Sequence, residues 1–255
     1  MTIGICKLCG EEKELQRSHV IGRTFFSKIL KDSEKNVATQ FVLRENSVKE
    51  TNDTWFTRLL CSQCERFFNE KYENYSVAAL RRKRQEIEII ENPNGVTFKN
   101  LNVEQIVLFV FSIYWRASHS DHEAFAECIT FQELDKVLIG TLKKEIGLVQ
   151  DYLKVRVRIL KDKTNFFDDV LIKQIIIAPF RTELEKGFMY TMLFEGYLFE
   201  LYFGPLSIID GHNYGFLINN EDAYLPYVEI FSVKEIRESL LHGAKLSKTI
   251  PPRID

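Results

Sequence analysis

Cys6-Lys7-Leu8-Cys9 and Cys61-Ser62-Gln63-Cys64 decide the reading of the N-terminal part of this 255-residue chain. In each pair a two-residue gap lets both sulfurs turn toward one ion, and two such knuckles complete a tetrahedral shell of four thiolates. No coordination position stays open, so the zinc that this set implies is structural. Redox-active pairs are the other use of the pattern, but those follow a strand in a βαβ arrangement, which the flanking sequence lacks. The stretch between the knuckles, residues 10–60, is far longer than the gap in a small zinc finger. A long insert suits a treble-clef arrangement, in which the metal holds a β-hairpin and loops against a helix that starts at the second knuckle. The fifth cysteine, Cys128, stands apart and reads as a core residue.

Outward from the second knuckle, Phe67, Phe68, Tyr72 and Tyr75 fall at near-helical spacing. The segment from Cys64 to about Ile90 therefore reads as one or two helices, with the basic run Arg81-Arg82-Lys83-Arg84 on it. Glu91-Asn92-Pro93-Asn94-Gly95 is a turn cluster and the clearest boundary signal. Beyond it Val103–Ala117 is apolar nearly all round, the pattern of a core helix. Thr130-Phe131-Gln132-Glu133 has the form of a capping box, opening a helix to about Ile146. The period then changes to two: Leu153, Val155, Val157 and Ile159 alternate with Lys154, Arg156 and Arg158, as in a half-buried strand. Val170–Ala178 reads as another strand, Met189–Phe194 and Tyr197–Phe203 as a hairpin around Glu195-Gly196, and Tyr214–Ile218 as a further strand. Ser232-Val233-Lys234-Glu235 repeats the capping-box pattern before a helix that stops near Gly243, and Pro251-Pro252 reads as a loose tail.

The formal charge of −2 excludes nothing by itself, but residues 1–100 hold 17 Lys and Arg against 14 Asp and Glu, leaving 17 against 22 for the rest. This mild asymmetry favours a nucleic-acid-facing N-terminal part. Met1 is followed by polar and charged residues, so no secretory signal is expected. The most apolar run, Ile106–Trp115, is about half the ~20 residues of a membrane span and contains Ser112. A soluble, cytoplasmic protein is expected, with no membrane partner, and paired cysteines in a reducing compartment agree with metal binding.

Inside the insert lies Arg17-Ser18-His19-Val20-Ile21. With the first knuckle before it and Leu59-Leu60-Cys61-Ser62-Gln63-Cys64-Glu65 after it, this stretch resembles the HNH, or ββα-metal, endonuclease family. The likeness is to a branch with Ser-His where others have Asp-His, and with Cys-Glu after the last knuckle. It covers about residues 4–75. A vaguer likeness joins Phe111–Arg116 to a helix that follows the nuclease module in larger members. The resemblance implies that His19 is the general base that activates water, a task suited to neutral imidazole near pH 7. It implies a second divalent ion, Mg²⁺ or Mn²⁺, with ligands from Ser18, Glu65 and Asn69, the last two sharing a helix face that Glu73 continues. A bland reading stands beside each: a packing histidine, and a first-turn carboxylate that complements the helix dipole. Two positions depart from the family. Ser18 replaces the usual aspartate, and Phe56 stands where the middle asparagine commonly lies. Arg17, Arg23, Lys28 and Arg58, with Arg81, Arg82, Lys83 and Arg84, are candidate phosphate contacts, or else a solvated charged face. His119-x-x-His122 with Glu123 lacks a third ligand at convincing spacing and reads as a polar helix end.

The expected architecture is α+β: a zinc-bound ββα-metal (treble-clef) module with its following helices over residues 1–92, then a helical plus antiparallel-sheet domain over 93–255. The expected function is metal-dependent hydrolysis of phosphodiester bonds, of DNA before RNA. The alternative is a catalytically degenerate, zinc-stabilised module that binds nucleic acid or protein. A third reading gives the C-terminal part a protein partner or ligand through which it controls the nuclease.

Overall fold

Three short strands carry the knuckles. β1 (Ile3–Ile5), β2 (Glu12–His19) and β5 (Phe56–Cys61) form an antiparallel sheet in the order β1-β2-β5. The chain turns straight from Cys61 into helix α2 (Ser62–Phe68), so Cys64 lies in its first turn. A π-helical turn, Asn69–Glu73, and helix α3 (Asn74–Leu80) continue in line. The protein is described here by a computed structural model over residues 2–148, 152–164, 166–205, 215–218 and 222–249, with side chains as far as His242.

The insert between β2 and β5 leaves the small sheet. It forms α1 (Arg23–Asp32), β3 (Ala38–Val42) and β4 (Ser47–Thr51). The last two join a nine-stranded sheet, with β4 at its edge, completed by β6 (Glu88–Asn92), β7 (Gly95–Lys99), β8 (Leu153–Lys161), β9 (Ile175–Leu184), β10 (Gly187–Phe194), β11 (Tyr197–Phe203) and β12 (Asp222–Glu229). Its order is β4-β3-β9-β10-β11-β8-β12-β7-β6. The turn at 91–95, expected to be a domain boundary, is instead the hairpin between β6 and β7, and strands from both sides of it share the sheet. The sheet is also mixed where a purely antiparallel one was expected, because β3 joins β9 and β12 joins β8 in parallel.

Helix α4 (Val103–Ser118) packs on this sheet and links it to the knuckle region. Phe109 stacks on Phe25 of α1 and meets Phe199 of β11 edge to face, while Trp115 touches Phe68 at the end of α2. One continuous apolar core results. The rest of the helical layer is α5 (Gln132–Leu142), α6 (Asp169–Gln174) and α7 (Lys234–Thr249).

Several local expectations change. Val170–Gln174 is helical and only Ile175 onward is strand, because a short apolar run carries no period that separates the two states. Both capping-box patterns go unused: Phe131 occupies the cap of α5 with no side-chain bond, and the Ser232 hydroxyl donates to the Glu229 carbonyl instead. Residues 88–90 are strand, not helix. Helix α5 ends at Leu142, and α7 runs past Gly243 to Thr249. Phe216 makes a single bridge to Arg156, while Tyr214 and Pro251-Pro252 lie outside the described residues. No helix among the described residues is long and apolar enough to cross a membrane.

Candidate metal centre and active-site cleft

The first knuckle turns back on itself at Gly10, whose positive φ of 75° is a conformation that suits glycine. Its amide donates to the Cys6 carbonyl at 2.8 Å, and the Lys7 amide docks on the Leu59 carbonyl of β5 at 3.1 Å. This brings Cys6 and Cys9 against Cys61 and Cys64. The four sulfurs lie within 4.8 Å of one another, three of the residues being buried and Cys9 half-buried. Tetrahedral zinc with Zn–S bonds of ~2.3 Å sets sulfurs roughly 3.8 Å apart, so the set can close on one ion with little movement. The Cys61 amide points at Cys6 Sγ at 3.4 Å, a bond that favours a thiolate there. Cys128 is buried elsewhere, its thiol donating to the Pro179 carbonyl.

A β-bulge lies between Leu15 and Arg17 of β2. The extra residue is on β5, where Leu59 and Leu60 stand opposite Gln16, and in β2 Leu15 and Ser18 are both buried although three positions apart. Ser18 is thus fully buried beside the start of α2, and His19, half-buried, ends the strand at the mouth of an open polar cleft of about 1130 Å³. Glu65, Asn69 and Glu73 line the same cleft from α2 and the π-helical turn, and Arg17, Arg23, Arg58 and Arg66 rim it. The structure thus brings His19 and all three expected ion ligands to one place, since Ser18 lies close enough to Glu65 to favour its ionised form.

Two buried oxygens there have no hydrogen-bond partner of ordinary geometry, Ser18 Oγ and Glu65 Oε2. Burial raises the pKa of Glu65, with Arg116 and Ser18 opposing that rise and Glu73 adding to it. Glu73 is itself buried. It accepts from Thr24 Oγ1 at 3.2 Å and presses so closely on Gly22 that a Cβ there would fall 1.9 Å from its Oε1. Orphaned hard oxygens beside a second carboxylate fit a divalent ion of the Mg²⁺ or Mn²⁺ kind. His19 has its pKa lowered to about 4, by burial first and then by the charges of Arg23, Arg17 and Arg116. The ring is therefore neutral at pH 7. Its Nε2 lies 3.2 Å from Thr54 Oγ1.

Thr54 sits in a loop under tension. Trp55 follows it with a φ of +50°, unusual for a bulky residue, and is locked by edge contacts with Phe26 and Phe125. Phe56, at the family's asparagine position, pairs with His19 across the ladder and carries the Arg17 guanidinium over its ring at 3.9 Å.

The expected phosphate contacts separate into two groups. Arg17, Arg23 and Arg58 line the cleft, although Arg58 also holds the Leu15 carbonyl at 3.2 Å. The basic run does not reach it. Arg81 is bound to Glu195 and to the Thr24 carbonyl, Arg82 to Glu91, and Arg84 to Glu86. Lys83, exposed, and Lys28, paired with Asp32 at 2.5 Å, line a different cleft. Three of the four residues of the run are thus paired with carboxylates, Glu195 from far along the chain and Glu86 and Glu91 from close by. His122 bonds to Asp53 at 2.9 Å, and His119 lies 3.3 Å from Asp135 and 2.9 Å from the Trp115 carbonyl. Sequence reasoning missed Arg66 as a cleft residue and the roles of Thr54 and Arg116. A lone arginine closing an apolar helical run was the one available signal for Arg116.

No family model, curated protein or solved structure matches the chain.

Proposed function

We propose that this protein is a metal-dependent endonuclease of the HNH kind, hydrolysing phosphodiester bonds of DNA, with its four cysteines holding a treble-clef zinc. The observation that carries the reading is that His19, Glu65, Asn69 and Glu73 line one polar cleft rimmed by arginines beside the four-cysteine cluster. Arg17, Arg23 and Arg66 hold the phosphate backbone by charge. The neutral His19 ring takes a proton from water, and the resulting hydroxide attacks phosphorus as the bond to the 3′ oxygen breaks. Thr54 Oγ1 accepts the Nε2 proton in this tautomer, leaving Nδ1 as the base. Ser18, Glu65 and Asn69, with Glu73 near, are the residues that would hold Mg²⁺ or Mn²⁺. Such an ion neutralises the phosphate and stabilises the leaving oxygen.

The test is plasmid cleavage with Mg²⁺ and Mn²⁺ by wild type and His19→Ala. Cleavage should fall about 10²–10⁴-fold in the variant, with zinc content and DNA affinity retained. A wild type that binds DNA but does not cut supports the second reading, a degenerate binding module. That reading is favoured by one observation, the neutral Ser18 and apolar Phe56 at positions where the family carries Asp and Asn. Cleavage by His19→Ala at the wild-type rate removes His19 as the base.

A further inference from the structure

Arg116 lies in the last turn of α4, beyond the knuckle-bearing residues 4–75, and it is 1% exposed. Its Nη1 donates to the His19 carbonyl at 2.7 Å, and its Nε to the Ser112 carbonyl at 3.2 Å. The guanidinium lies over the Phe68 ring, 5.6 Å from its centre. None of its described hydrogen bonds goes to a carboxylate, although its charge acts on Glu65. Burying a cation in this way costs several kcal/mol, and a Met or Leu would pack the same space without that cost. A position whose only task was packing would not need the charge or the fork.

The backbone at His19 explains the need. The β2–β5 ladder ends at the His19–Phe56 pair, and the next contact, Val20 amide to Trp55 carbonyl, is stretched to 3.5 Å. Past that pair the strand end is weakly held from within its own sheet. Arg116 fastens it from α4, a helix buried along most of its length in the core. We propose that Arg116 is the positioning residue for His19, a clamp from α4 that sets where the imidazole stands in the cleft. This assignment rests on His19 being the base, and it makes the sheet-packed part of the chain necessary for the chemistry.

The experiment compares wild type, Arg116→Lys and Arg116→Met in single-turnover cleavage of a duplex oligonucleotide, and in ¹⁵N spectra of the histidine rings. A misplaced catalytic group costs up to about 100-fold in rate, so Arg116→Met should lose most of kcat with KM little changed. Arg116→Lys keeps one donor and should recover part of the loss. The His19 ring signal should shift in Arg116→Met and move back in Arg116→Lys, while that of the remote His242 and the zinc content stay constant. An unchanged kcat and an unmoved His19 signal in a variant with lowered thermal stability would make Arg116 a packing residue and overturn the proposal. Should wild type cut no DNA, the endonuclease reading falls, and the His19 signal still decides whether Arg116 holds the ring. If Arg116→Met does not fold, Arg116→Lys decides alone: loss of one of two tethers should lower kcat and displace the signal, and wild-type values for both would refute the clamp.

Discussion

The knuckle region contributes Leu8, Leu15, Leu59 and Leu60 to the common apolar core but buries little in its outer strand. β1 is three residues long with Ile3 and Ile5 mostly exposed, and the sheet it edges has only three strands. Across the nine-stranded sheet the position is reversed: every residue of β11 is buried, and α4 is buried along nearly its whole length. The four cysteines could hold a metal ion that braces the small sheet, whereas side-chain packing holds the large one. The candidate cleft lies at the seam. Its candidate ligands stand on the elements beside the four cysteines, and Arg116 and Trp55 are buried in the packed core. A site built this way inherits order from both, and each can be removed separately.

The largest effect should come from breaking the metal-held side. Cys64→Ser leaves three thiolates, and structural zinc contributes of order 10 kcal/mol in small domains. Metal analysis should find about one zinc per wild-type chain and none held tightly by the variant. Hydrogen exchange should show β1, β2 and β5 losing protection while β10 and β11 keep theirs. Simultaneous loss in both regions would mean that the two are one cooperative unit and the contrast is false.

Next in size is the reverse experiment. Phe109 is fully buried between Phe25 and Phe199. Phe109→Ala should cost about 3–5 kcal/mol, read as a lowered denaturation midpoint, with the zinc content unchanged. Zinc released from the native variant would show that packing, not the thiolates, holds the knuckles together.

How much of this was legible beforehand follows the same division. The cysteine pairs and the β10–β11 hairpin are local signals, spacing and period within a few residues, and they were readable. The destination of the insert was not. Nothing in Ala38–Val42 announces that it will lie parallel to β9, because that pairing joins residues more than a hundred positions apart. The same long range hid the Glu195 carboxylate that pairs with Arg81 and the reach of Arg116 to His19. The resemblance named Ser18, His19, Glu65 and Asn69 as candidates, while the bulge in the β2–β5 ladder and the π-helical turn after Phe68 carry no periodic signature.

A smaller effect tests the ion site within the metal-held side. Glu65→Gln removes an anionic hard-oxygen ligand but leaves its shape. The Mg²⁺ or Mn²⁺ concentration for half-maximal cleavage should rise about tenfold, a loss of ~1.4 kcal/mol of binding, without release of zinc. Identical metal dependence in a titration of wild type and variant would take Glu65 out of the site and favour the non-catalytic reading.

The smallest expected effect asks whether the packed core reaches the base through Thr54 as well as through Arg116. Trp55, wedged between Phe26 and Phe125, holds its loop in a conformation that a bulky residue rarely adopts, and the Asp53 carboxylate caps the Trp55 amide at 2.9 Å. That arrangement presents Thr54 Oγ1 to His19 Nε2. Thr54→Val keeps the branched shape, so the loop should remain folded, but it removes the acceptor. A single hydrogen bond is worth about 0.5–1.5 kcal/mol net, which corresponds to a roughly 2–10-fold lower cleavage rate if the bond selects the ring tautomer. Thr54→Ser retains the hydroxyl and should stay near the wild-type rate. The pair of variants separates chemistry from packing, because valine preserves volume and serine preserves the oxygen. Full activity in Thr54→Val would mean that His19 is oriented by its strand and by Arg116 alone, and the core's contribution to the site would then enter through α4 only.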